Sequence, residues 1–159
     1  MSVCTGAFVL ASTGLLSGKS ATTHHNAFGE FAMDFPDVQL RRGARFVEDG
    51  SVASSGGLTS GIDLALHVVE RYYGREAAKR TADGMEYQGQ GWLDASSNSA
   101  YAHPPVATAG RATCPVCWME VDPASAPKSV YRGASYFFCM APDKERFDSA
   151  PQKFLDLAR

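Results

Sequence analysis

The chain has 159 residues, 45% of them hydrophobic and 20% charged, and a formal net charge of −2. That composition is ordinary for a globular protein, and the length suits one domain with room for a small module. Nine basic residues stand against eleven acidic ones before position 112, and six against six after it, so neither part has the basic balance of a nucleic-acid binder.

In chain order, the first feature is "SVCTG" at residues 2–6. Small residues flank Cys4 at −2 (Ser2) and +2 (Gly6), as a sharp strand-to-helix turn demands when it projects a nucleophile. A helix over 5–16 follows, ending near Gly14 and Gly18. A thiol at its start is favoured as a thiolate. Its "AFVLASTGLL" is the most apolar run of the chain, yet too short to cross a bilayer and without the basic flank of a signal peptide. The expected compartment is therefore the cytoplasm, without a membrane partner. The four cysteines then read as thiols, ligands or nucleophiles rather than disulfides.

The stretch "VQLRRGARFVEDGSVASSGG" reads as short strands with Glu48-Asp49-Gly50 as a hairpin turn. "LTSGIDLALHVVERYYG" places Ile62, Leu66, Val69 and Tyr73 on one helical face and ends at Gly74. A third helix, "REAAKRTADGMEY", points Ala78, Ala82 and Met85 inward. Residues 93–112 are rich in Ala, Ser, Pro and Gly, lack periodicity and read as a linker. The divisions are thus 1–92, the 93–112 linker and 113–159.

The last part opens with Cys114 and Cys117, a Cys-x2-Cys turn that lets two thiolates share one ion. "SVYRGASYFF" reads as a hairpin, then "APDKERFDS" and "PQKFLDLA" as short helices with Pro in the first turn. Cys139 at the strand end and Asp143 four residues on complete a three-sulfur, one-carboxylate set suited to zinc or another soft ion. Packed, metal-free thiols in a small structural unit are the alternative. The aromatic residues Trp118, Tyr131, Tyr136, Phe137, Phe138 and Phe147 are expected to form its core.

Two resemblances sharpen this picture. "SVCTGAFVLASTGLLSGKSATTHH", "FPDVQL" and "DGSVASSGGLTSGIDLALHVVERYYG" resemble the ThiJ/PfpI family of glutamine-amidotransferase-like proteins, nearest its isonitrile-hydratase-like branch. The resemblance implies a flavodoxin-like α/β fold, incomplete here. It puts Cys4 at the nucleophile position, Thr5 at the oxyanion site and His24 beside the cysteine. His25 stands where that branch more often has an aromatic residue. The earlier strands and the acid that works with the cysteine have no counterpart in this sequence, and Glu30 and Asp34 do not match the acid's position. The expectation is a homo-oligomer, or a partner chain supplying the absent half, that covers Phe8, Val9, Leu15 and Leu16.

Residues 114–155 resemble the YHS domain, a small treble-clef-like α+β module often associated with metals. Pro115, Val116, Cys117, Met119, "VDP" and Phe138-Cys139 carry the match, while Trp118 replaces a glycine and Asp143 replaces the last cysteine. Together these readings give a soft-metal-binding protein on a ThiJ/PfpI-like scaffold. The alternative is a cysteine-dependent hydratase or hydrolase of a small molecule.

Overall fold

The computed structural model describes residues 1–157, so Ala158 of the closing helix reading lies outside the described residues. In chain order the elements begin with β1 (Ser2–Val3), α1 (Gly6–Ser12), β2 (Ser20–Ala21), α2 (Phe28–Asp34) and β3 (Gln39–Leu40). There follow β4 (Phe46–Asp49), β5 (Val52–Ser55), α3 (Leu58–Tyr73) and α4 (Arg75–Gly84). The last are β6 (Ala112–Thr113), β7 (Glu120–Val121), β8 (Lys128–Tyr131), β9 (Ala134–Phe137), α5 (Ala141–Ser149) and α6 (Pro151–Leu157). They form two compact units, the first made of residues 1–25 and 35–102, the second of 26–34 and the chain from 103 onward. Among the described residues no helix is long and apolar enough to cross a membrane.

In the first unit a three-stranded sheet runs β1-β5-β4. β1 pairs parallel with β5, and β4 antiparallel with β5. The expected hairpin is present, and Gly50 supplies φ +66° in its turn, where a side chain would be strained. β2 and β3 form a separate parallel pair. The first helix is shorter than expected, because Gly14 and Gly18 adopt φ +79° and +70° and carry the chain out of the helical region. Leu16 is buried, whereas Val9 and Leu15 are exposed. Phe8 stacks edge-on against Phe35 at 5.9 Å, so the expected wet face is only partly wet.

α3 ends at Gly74 as expected, with the Gly74 N–H donating to the Glu70 carbonyl at 2.8 Å. Its buried face differs from the expected stripe. Leu66 is inside, but Ile62 and Tyr73 are exposed, and the inward residues include Gly61, Asp63 and Leu64. The reason is close approach: a Cβ on Gly61 would stand 2.7 Å from Val3 Cγ1, so glycine lets the helix lie directly on β1. Ala78, Ala82, Leu66 and Trp92 form a core cluster. Met85, expected inward, is exposed, since α4 stops at Gly84 and residue 85 turns away with the chain.

Asp63 is a fully buried acidic side chain, so it needs partners. Arg45 donates to its Oδ2, and the Tyr87 hydroxyl donates at 3.0 Å. Burial, then the Asp63 carboxylate, hold the Tyr87 hydroxyl above its ordinary range, so it stays a donor. Arg45 also donates to Asn98 Oδ1 at 2.8 Å, and Asn98 Nδ2 donates to Ser60 Oγ at 3.2 Å. Residues 93–102, which read as linker by composition, are thereby tied into the first unit, with a short 3-10 turn at Ser99–Tyr101.

The second unit packs around Phe147. Its ring lies 5.0 Å from Tyr136, 5.2 Å from Phe138 and 6.1 Å from Phe154, centroid to centroid. The β8–β9 hairpin turns on Arg132 and Gly133, both at positive φ, as a two-residue turn of the right twist requires. α2 belongs to this unit, with Phe28 and Phe31 buried. It pairs Glu30 with Arg146 at 2.8 Å. Thus the aromatic core expected from sequence is present, but one of its helices comes from far earlier in the chain.

Asp63→Ala is expected to destabilise the chain by about 3 kcal/mol, because it strands the Arg45 charge in a partly buried site. Tyr87→Phe removes one hydrogen bond and should cost about 1 kcal/mol. Urea unfolding of both variants checks the order, and equal losses would contradict it.

Candidate functional site

Two constellations carry chemistry. The first is the turn at Cys4. The Cys4 N–H donates to the carbonyls of Ser55 (3.1 Å) and Gly56 (2.8 Å), and Thr23 Oγ1 donates to the Cys4 carbonyl at 3.0 Å. These three bonds hold Cys4 at φ +57°, a left-handed conformation that costs a non-glycine residue about 1–2 kcal/mol. The strained strand-to-helix elbow expected from "SVCTG" is therefore present, with β1 before it and α1 after it. Thr5 is the exposed residue that leads into α1, and its side chain makes no capping hydrogen bond.

His24 lies against the start of α3: a Cβ built on Gly57 would be 3.5 Å from His24 Cδ2. The His24 and His25 rings are 4.3 Å apart, and His25 stacks on Tyr101 at 4.7 Å. Burial, and then the neighbouring His24, lower the His25 pKa, which keeps that imidazole neutral near pH 7. Beside the stack is a cavity of about 210 Å³ lined by His24, His25, Arg45, Thr59, Asn98 and Tyr101. Asn98 and Tyr101 were not expected here. Their stretch has neither periodicity nor charge, and only their side-chain chemistry sets them apart from its Ala and Ser. Glu30, one of the two acids weighed in sequence, is paired with Arg146 in the second unit.

The second constellation is Cys114, Cys117, Cys139 and Asp143, whose ligand atoms all lie within 4.8 Å of one another. The four residues expected as metal ligands are thus brought together. A tight turn after β6 sets the first two: the Cys114 N–H donates to the Met119 carbonyl and the Trp118 N–H to the Cys114 carbonyl, each at 2.9 Å. Trp118 takes φ +64°, the region that favours glycine, and its ring meets Phe28 edge-on at 5.7 Å. Burial of that ring offsets the strain where a glycine would have none. α2 backs the turn so closely that a Cβ on Gly29 would be 2.3 Å from the Val116 carbonyl oxygen. Cys139 follows β9, and Asp143 lies in the first turn of α5.

Cys117 Sγ is 3.4 Å from Cys139 Sγ. Asp143 Oδ2 is 3.2 Å from Cys139 Sγ and 3.6 Å from Cys114 Sγ. Two sulfurs at ~2.3 Å from a tetrahedral zinc would be ~3.8 Å apart, so small side-chain adjustments would admit an ion. So many acidic groups cannot all ionise at such separations. The Cys117 thiol hydrogen-bonds to Cys114 and, against the effect of burial, pulls the Cys114 pKa down to about 6. The Cys117 pKa is raised, first by that same bond and then by burial. Burial, and the neighbouring acids after it, push Cys139 up to about 11. A divalent ion would replace the protons that this crowding retains.

Residues 1–71 match the model of the DJ-1/PfpI family. The chain is 38% identical over 86 residues to isonitrile hydratase of Pseudomonas putida, across 54% of this chain and 36% of that protein. It is 31% identical over 86 residues to the HTH-type transcriptional regulator GbdR of Pseudomonas aeruginosa, across 54% of this chain and 23% of that one. The crystal structure of Drosophila melanogaster DJ-1beta matches with TM-score 0.46 and 25% identity, over 55% of this chain and 45% of that one. The chain spans about a third or less of the length of these curated relatives. The family match and the mixed α/β elements of the first unit support a ThiJ/PfpI-like α/β domain there.

Because Cys4 is held at positive φ, Cys4→Gly is expected to be more stable than Cys4→Ala by about 1 kcal/mol. Denaturant midpoints of the two variants measure it. Equal midpoints would mean the elbow holds no strain.

Proposed function

We propose that this chain is a soft-metal-binding protein. Its second unit, a YHS-type module, binds one zinc-like divalent ion through Cys114, Cys117, Cys139 and Asp143. The ThiJ/PfpI-like unit is the scaffold and carries a separate reactive thiol, Cys4. The observation that carries this reading is the convergence of three sulfurs and one carboxylate within 4.8 Å. Three sulfurs favour zinc, cadmium or copper(I), and the carboxylate tilts the set toward zinc. Cys114 is fully buried and Asp143 nearly so, which gives the enclosed character of a structural site.

Purified without a tag, the wild type is expected to carry about one zinc per chain and Cys117→Ser/Cys139→Ser close to none. Equal, near-zero metal in both would sink the proposal. Binding at pH 7.5 should release protons from the thiols that the crowded cluster keeps protonated. Apparent affinity should therefore fall as pH is lowered from 8 to 6. Calorimetry in two buffers of different ionisation heat reads the proton count.

A second reading has its own support: Cys4 in a strained elbow whose carbonyl accepts from Thr23, in a sequence similar to isonitrile hydratase. On that reading the chain belongs to a cysteine-dependent hydratase acting on a small molecule, with an acidic partner contributed from outside this sequence. Limiting iodoacetamide should label Cys4 first, while isonitrile turnover by this chain stays at the level of Cys4→Ala. Turnover that depends on Cys4 would place the hydratase ahead of the metal protein.

A further inference from the structure

We propose that Cys117 and Cys139 are a reversible redox pair: hydrogen peroxide joins them as a disulfide and so removes two donors from the metal set. The metal half of this inference rests on the function proposed above. The disulfide half rests on geometry alone.

The two sulfurs are 3.4 Å apart and belong to residues 22 positions apart, one on the turn after β6 and one at the end of β9. A disulfide needs ~2.05 Å, a closure of roughly 1.4 Å. Exposure selects the pair. Cys117 and Cys139 are half-buried, whereas Cys114 is fully buried and out of reach of an oxidant arriving from solvent. Cys4 lies in the other unit, in its own backbone-held turn.

The chemistry balances with peroxide as the oxidant. One thiolate attacks a peroxide oxygen, the O–O bond breaks, and a sulfenic acid and hydroxide form. The second thiolate attacks that sulfur, the S–O bond breaks, and a second hydroxide leaves. Two protons convert the hydroxides to water, so two thiols and one peroxide give one disulfide and two waters. Disulfide sulfur is a poor ligand for zinc. Cys114 and Asp143 alone then offer two donors where zinc takes four. A dithiol reductant reverses the step by exchange, which restores the site.

The test uses the full chain, zinc-loaded and after zinc removal by a chelator, treated with one equivalent of hydrogen peroxide. Intact mass should fall by two hydrogens, and peptides mapped without reductant should join Cys117 to Cys139. In the loaded protein, zinc captured by a chromogenic chelator should equal the linked fraction, and dithiothreitol should return both to the start. Cys4→Ser and Cys114→Ser should keep the link, and Cys139→Ser should lose it. Sulfinic acid without a link, or a link made mainly through Cys4 or Cys114, would overturn the proposal. If zinc binds and no link forms, the redox pair fails while the metal site stands. If no zinc binds but the link forms, the metal site fails while the pair stands.

Discussion

Crowding three thiols and a carboxylate within 4.8 Å is the constraint on which the second unit depends. Each of these groups prefers water or a cation, and their charged forms repel. A unit of this size has little core with which to oppose that cost. Phe147 and the rings around it supply the opposition, in one core cluster with Cys114 and Val116 of the cysteine turn. Cys114 and Val116 are themselves members of this core cluster, so the ligand turn and the hydrophobic core are one structure. That arrangement holds the sulfurs close together by packing alone.

α2 shows how tightly the turn is held. Phe28 meets Trp118, Gly29 lies against the Val116 carbonyl, and Glu30 reaches Arg146 on α5. One seven-residue helix therefore braces the cysteine turn and the helix that carries Asp143. A helix so short has little intrinsic stability, and its conformation comes from the surface it packs against.

The legible features were those with a local cause. Gly50 and Gly74 stop or turn the chain whatever its surroundings, and the hairpin and the end of α3 fall where they should. That Cys114, Cys117, Cys139 and Asp143 converge was legible because Cys-x2-Cys is a local turn and the other two residues flank one strand end. The illegible features arise from distant contacts. The inward face of α3 contains Asp63, which only the Arg45 and Tyr87 partnership makes tolerable inside. α2 has no sequence signal stronger than "FGEFAMD", and its membership of the second unit follows from packing against residues some ninety positions later. Asn98 and Tyr101 looked like linker because their role is to complete hydrogen bonds and a ring stack begun elsewhere.

The thiols of the two units are governed by different physics, and this separates their chemistry. Cys4 owes its position to backbone: two carbonyls accept its N–H, Thr23 caps its carbonyl, and φ is forced positive. Cys114, Cys117 and Cys139 owe theirs to side-chain packing, and each sulfur is set by its neighbours. In such a cluster the protonation, metallation or oxidation of one sulfur changes the other two, because they share one small, weakly hydrated space. The chain thus holds one cysteine placed by backbone hydrogen bonds and three placed by mutual side-chain contact.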